Sequence, residues 1–277
     1  SSNAGAAVNF TTALTISNIA NTGQLNGLLP QDYIAGLLPL WTSATVAGAG
    51  AGRCKDSTNY TDIILPSAFT KGTGSWAVGT GNGGNLEAAA ITTNTTYFWY
   101  VLMKNSDRSV DMGFSTSPTA PTMPSGYTYF RRICAWRTNG SSQWVNVVWR
   151  LNGTSVEALL DVPVEDINVT NPGTSAVLRT LSVPTGIKVR PKFHVMHSPI
   201  TNAFYSLMTS PGQTDTAASA TVYTGYVTAP GVVGATYSVS TITYLWTNTS
   251  GQVRSRISAS GASDGLRIST YGWVDDR

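Results

Sequence analysis

Charge is what this chain has least of. Asp, Glu, Lys and Arg make up 11% of its 277 residues, less than half the share of about 25% in ordinary soluble domains. Such depletion suits a surface that meets another chain, because charged groups are scarce in interface cores. The 17 basic residues against 14 acids leave a net charge of only +3. The longest basic element is the pair Arg131-Arg132, so the clustered basic face of a nucleic-acid binder is missing. No window approaches 18 uninterrupted apolar residues, which excludes a membrane-spanning helix. The two cysteines, Cys54 and Cys134, allow at most one disulfide. Cys134 sits inside an apolar strand pattern and reads as a small buried hydrophobe.

Groups for catalysis are equally sparse. There is no G-x-S-x-G elbow, and the only histidines, His194 and His197, form "HVMH". On a strand, residues three apart point to opposite faces, so the two cannot share a metal; the pattern reads as one half-exposed and one buried histidine. Three copies of one histidine on a trimer axis are the remaining route to a metal. The loop "VGTGNGGN" has a G-x-G-x-x-G spacing at Gly79, Gly81 and Gly84. No crossover helix follows it, so it is not read as a dinucleotide site. The densest acids are Glu157, Asp161, Glu165 and Asp166; these and Asp275-Asp276 read as solvated turn charge, although paired carboxylates remain the signature to count for glycoside hydrolysis. No catalytic residue, metal ligand or cofactor is assigned.

What the chain does have is the punctuation of a β protein: 27 Gly and 13 Pro among many Thr, Ser and Asn, with 12 Tyr and 8 Trp. "YFWYVLM" (97–103) reads as a strand buried on both faces, "VDMGFS" (110–115) as an alternating one, with "KNSD" as the turn between them. "YTYFRRICAWRT" and "QWVNVVWRL" flank "NGSS", where Asn139-Gly140 is expected to supply the positive φ values of a tight hairpin. Strands at spacings of 8 to 15 residues continue to "LRISTYGWVDDR". The fold class is therefore all-β, an antiparallel sandwich or jelly-roll-like module. Residues 1–45 are a separate apolar segment that packs on the module or on neighbouring copies, with a short helix opened by Pro30 and Asp32 and closed by Pro39. Residues 46–277 form the main module, with a candidate split at 160–174; no internal repeat is evident.

Aromatic residues carry the ligand-binding expectation. Strand alternation puts Trp144 on one face with Asn146 and Arg150, and Trp149 on the other with Val145 and Val147. Trp149 thus reads as core, and Trp144 as exposed. Tyr244 and Trp246 lead into the loop "TNTSGQ". Exposed rings beside Asn and Thr suit sugar stacking and suit packing between subunits equally well. Trp144, Asn146, Tyr244 and Trp246 are the candidate ligand-binding residues.

The block "NTTYFWYVLM" followed by "VDMGFSTSPTAPTMPSGYTYFRRICAWRTNGSSQ", residues 94–143, resembles a segment of tail-fibre and related virion proteins of tailed bacteriophages. The ending "YGWVDDR" is also similar to phage fibre tips. Where a Gly often follows "RRI" in that pattern, Cys134 stands here, which bears on local packing. The resemblance implies a homotrimeric β module on a virus particle, with itself, other virion proteins and a host-surface glycan or protein as partners. It transfers no catalytic residue. The readings it leaves open are a receptor-binding module, a depolymerase or esterase on the same scaffold, and a capsid or baseplate decoration. The prolines of "STSPTAPTMPSG" cannot occupy a central strand, so the arm is expected to cross between sheets or subunits. Arg131 or Arg132, facing inward after it, needs a carboxylate or carbonyl partner and is expected to anchor the arm.

Overall fold

The computed structural model describes residues 29–198, 203–227 and 244–277, and these form strands and turns with no helix. The strands are β1 (Ile34–Gly36), β2 (Pro39–Ser43), β3 (Val46–Ala49), β4 (Gly52–Lys55), β5 (Asp62–Leu65) and β6 (Phe69–Ser75). Then come β7 (Gly83–Asn85), β8 (Thr96–Lys104), β9 (Val110–Ser115), β10 (Tyr127–Arg137), β11 (Val147–Asn152) and β12 (Ser155–Thr170). Last are β13 (Val177–Thr180), β14 (Arg190–Ser198), β15 (Phe204–Thr209), β16 (Gly225–Val227), β17 (Gln252–Ile257) and β18 (Gly265–Asp276). They pair into a three-stranded sheet β1-β4-β5 and a seven-stranded sheet β10-β8-β9-β7-β6-β3-β2. Two four-stranded sheets, β11-β12-β18-β14 and β13-β17-β15-β16, complete the set. Pairing is antiparallel except at short β7, which runs parallel to both neighbours. The fold is all-β and of sandwich type, as its turn-rich composition implies.

Where it is described, the N-terminal segment is strand rather than helix. Asp32 and Leu37 take positive φ values of 55° and 52°, which no helix tolerates. Instead β1 pairs with β4, and Gly36 and Gly52 approach so closely that a Cβ on Gly36 would lie 2.5 Å from the Ala51 carbonyl oxygen. The part of the apolar segment before Leu29 lies outside the described residues. The stretch 160–174 is occupied as far as Thr170 by β12, which pairs with β18 along its length apart from bulges. One buried cluster draws on all four sheets, including Ile63, Trp99, Val253 and Trp273.

β8 explains the continuous apolar run. Tyr97, Trp99, Val101 and Met103 face this main core, and Phe98, Tyr100 and Leu102 face a second cluster on the other side of the sheet. That second face is covered by Leu86, Met123 and Tyr127. Met123 belongs to the proline arm, so the arm joins β9 to β10 within one sheet by crossing over β8. It does not bridge two sheets. The Tyr100 hydroxyl donates to the Ser117 carbonyl at 2.7 Å, pinning the crossing. Prolines suit it, because a segment lying on a sheet face has no ladder to donate to. Nearby, the glycine loop encloses a buried ion pair. Lys71 Nζ lies 2.8 Å from Asp111 Oδ1 and donates to the carbonyls of Ala77 and Gly79, whose own N–H donates to Asp111 Oδ2.

Arg132 meets a carboxylate, Asp275, through one nitrogen at 2.9 and 2.7 Å, while its other nitrogen donates to the Asp276 carbonyl at 2.6 Å. Arg131 reaches the Arg277 carbonyl at 3.3 Å and the Asp32 carboxylate at 3.6 Å. The two arginines thus tie β10 to the end of β18. Asp275 is fully buried, so the sequence expectation of solvated charge is corrected there. Asp166 is likewise engaged, accepting from Ser182 N–H and Oγ and from the Thr270 hydroxyl. Arg277 closes the molecule by donating to the carbonyls of Gly36, Leu37 and Thr154.

Hydrogen bonding also shows one turn built twice. "TNGSSQ" (138–143) and "TNTSGQ" (247–252) build the same turn. In each, the Asn Oδ1 accepts from the N–H groups two and four residues on, at 2.9 and 3.1 Å in the first and 3.0 and 2.9 Å in the second. In each, the buried Thr exchanges hydrogen bonds with a neighbouring segment of the chain, at Thr95 or at Val189. The positive φ falls at Ser142 (54°) and Gly251 (72°), not at Asn139 and Gly140. The shared pattern is local: Thr, Asn, Ser and Gln at fixed offsets.

Candidate functional site

Residues 244–247 run extended, exposing Tyr244 and Trp246 and burying Leu245 and Thr247. The Thr247 N–H donates to the Val189 carbonyl at 2.9 Å and the Trp246 N–H to Ser210 Oγ at 2.8 Å. Tyr244 is 92% exposed and Trp246 is 39% exposed. The other two candidates are not with them. Trp144 is only 2% exposed and packs among Tyr97, Trp99, Phe114 and Trp136 at centroid distances of 4.9 to 5.8 Å. It cannot stack on a sugar. The alternation expected through 143–151 fails because the chain changes sheets: Trp144 still bridges Thr138, whereas β11 begins at Val147 and pairs with β12. Asn146 is half-buried and its carbonyl accepts from the Asp161 N–H at 3.1 Å.

Tyr244 instead borders a groove on the outer face of the β14–β18 pair, about 340 Å³ in volume and shared with Arg190, Lys192, His194 and Tyr271. A second depression of about 370 Å³ continues it past His194 and Tyr271 towards Met196 and Arg267. Gly272 shapes the site. A Cβ there would sit 1.9 Å from the Ala158 carbonyl oxygen, so only glycine admits the close approach. The ladder slips at this point on both sides, and the slip puts Tyr271 outward while Trp273 turns inward. Without it, residues two apart would share a face. The rings of His194 and Tyr271 lie 4.6 Å apart, tilted by 49°.

The groove's charges are neutralised within it. Lys192 pairs with Glu157, and Arg190 pairs with Asp276 at 2.9 Å while its guanidinium lies 5.5 Å from the Trp246 ring. What remains for a ligand is ring surface flanked by charges that are already paired. This suits a hydroxylated, neutral or zwitterionic molecule better than a strongly charged one. On the opposite face of β14, His197 is 2% exposed against Phe204, and burial lowers its pKa to about 4. The two histidines therefore stand on opposite faces, as their spacing implied. Cys54 and Cys134 are both buried free thiols. Burial pushes the Cys54 thiol up to about 12 and holds Cys134 well above the ordinary thiol range. Sequence reasoning missed Tyr271 and Arg190; the glycine between two aromatics in "YGW" was the available signal for a bulge. Set against protein-family models, curated proteins and solved structures, the chain matches none.

Proposed function

We propose that this chain is a non-enzymatic attachment module of a tailed-bacteriophage particle, a tail-fibre or receptor-binding component that holds a bacterial surface glycan in the groove of β14 and β18. The observation that carries the binding part is the exposed ring set Tyr244, Tyr271 and His194 over internally paired charges. Aromatic faces beside paired charges favour sugar rings, whose C–H faces stack while their hydroxyls exchange water for protein partners. The virion part rests on the resemblance of residues 94–143, and those residues form the β8–β10 scaffold rather than the groove. Self-association as a trimer belongs to the same reading: light scattering should give three times the 29.3 kDa chain mass, and a monomer mass removes it.

The test is direct binding of the purified chain to a panel of bacterial lipopolysaccharides and capsular polysaccharides. Tyr244→Ala and Tyr271→Ala should each weaken binding about tenfold, the equivalent of about 1.4 kcal/mol. Absence of binding to every polysaccharide and to whole bacteria would sink the proposal. Release of new reducing ends would replace it with a depolymerase.

A further inference from the structure

The first of the duplicated turns borders a separate cleft of about 220 Å³, between the end of β10 and β12. Arg137 lines it, immediately before Thr138, and is only partly exposed. Its backbone carbonyl accepts from the Val145 N–H, but no described residue accepts a hydrogen bond from its guanidinium. The nearest opposite charge is Asp166, which acts on it through space. The oxygens of Asp166 are taken by Ser182 and Thr270. The wall opposite holds Trp273, which is fully buried and whose Nε1 also has no acceptor among the described residues. The cleft therefore holds a cation with no hydrogen-bonded partner among the described residues. Partial withdrawal of a guanidinium from water without a protein partner is unfavourable, so the arrangement calls for a reason.

The second turn shows that the reason is not architectural. At the position matching Arg137, before Thr247, stands Trp246, and the turn forms with the same hydrogen bonds. A cation is thus dispensable for building this corner. We infer that the Arg137 cleft is a binding site for a carboxylate group on a small polar molecule, such as an acidic sugar, with the guanidinium fork as its anchor. Five planar donors match a carboxylate in a bidentate pair. A single guanidinium, its charge already partly offset by Asp166, does not match the two charges of a phosphate. Asn94 and Asn139 at the rim suit hydroxyls, and Val145 and Leu160 suit a ring face.

The inference does not rest on the groove or on glycan attachment. Calorimetric titration of the whole chain with sodium glucuronate, glucose and inorganic phosphate tests it. Glucuronate should bind at least tenfold more tightly than glucose or phosphate, and Arg137→Gln should lower its affinity at least tenfold. Arg137→Gln should not lower the melting temperature, because no protein hydrogen bond is lost. Equal binding of glucuronate and glucose, retained binding in Arg137→Gln, or unfolding of that variant each overturns the inference. Phosphate binding as tight as glucuronate would do the same by showing an unselective anion site.

Discussion

Removing Arg132 isolates one charge in the centre of the molecule. Asp275 is fully buried, and its partners are both contacts from Arg132 and the Ala135 N–H at 2.7 Å. Arg132→Met keeps most of the side-chain length but leaves the carboxylate with a single donor. Breaking one side of a buried pair costs about 3–5 kcal/mol, which for a chain this size is a fall of roughly 10 °C in melting temperature. The double variant Arg132→Met/Asp275→Leu removes both charges and should recover most of that loss. Burial already raises the Asp275 pKa, opposed by Arg132 and the Ala135 N–H, so losing Arg132 raises it further. A carboxyl whose folded pKa lies above its unfolded value of about 3.9 is most favourable to the fold below that value, and loses stability as pH rises. The deficit of Arg132→Met should therefore be smaller at pH 4 than at pH 7. Urea unfolding at both pH values, followed by tryptophan fluorescence, measures it. A loss below about 1 kcal/mol, a double variant no better than the single, or a deficit that grows on acidification refutes the reasoning.

Three further outcomes are expected. His197, with its folded pKa depressed to about 4 from 6.5, should cost the wild-type fold about 3 kcal/mol between pH 6.5 and pH 4, because the unfolded chain takes up the proton first; His197→Phe should flatten that limb in a stability–pH series. Gly272→Ala drives a Cβ to 1.9 Å from the Ala158 carbonyl oxygen and should destabilise by at least about 2 kcal/mol, read by thermal melting, with loss of polysaccharide binding if the bulge positions Tyr271. The buried thiols Cys54 and Cys134 should give no colour with a thiol-reactive dye in the native protein and two equivalents in urea; reaction of either in the native state would contradict their burial.

The sequence by itself determined the fold class, the doubly buried β8, the hairpin from β8 to β9, and the partner type that the arginine pair requires. These follow from local rules: side-chain period, turn residues, and the cost of an unpaired buried charge. It did not determine where the chain changes sheets or where a ladder slips, and those events decided the site. Trp144 looked exposed because alternation was carried through residue 146, past a sheet change that no local rule marks. Tyr271 shares the outer face with Tyr244 and His194 while Trp273 turns inward because β18 slips at Gly272, by one residue against β14 and by three against β12, and the close approach of the Ala158 carbonyl admits only glycine there. Asp275 became a core residue instead of a terminal solvated charge because Arg132, 143 positions away, lies across the sheet junction from it. Period and composition are properties of neighbours along the chain. Burial, register and charge pairing belong to neighbours in space, and the tertiary structure alone supplies them.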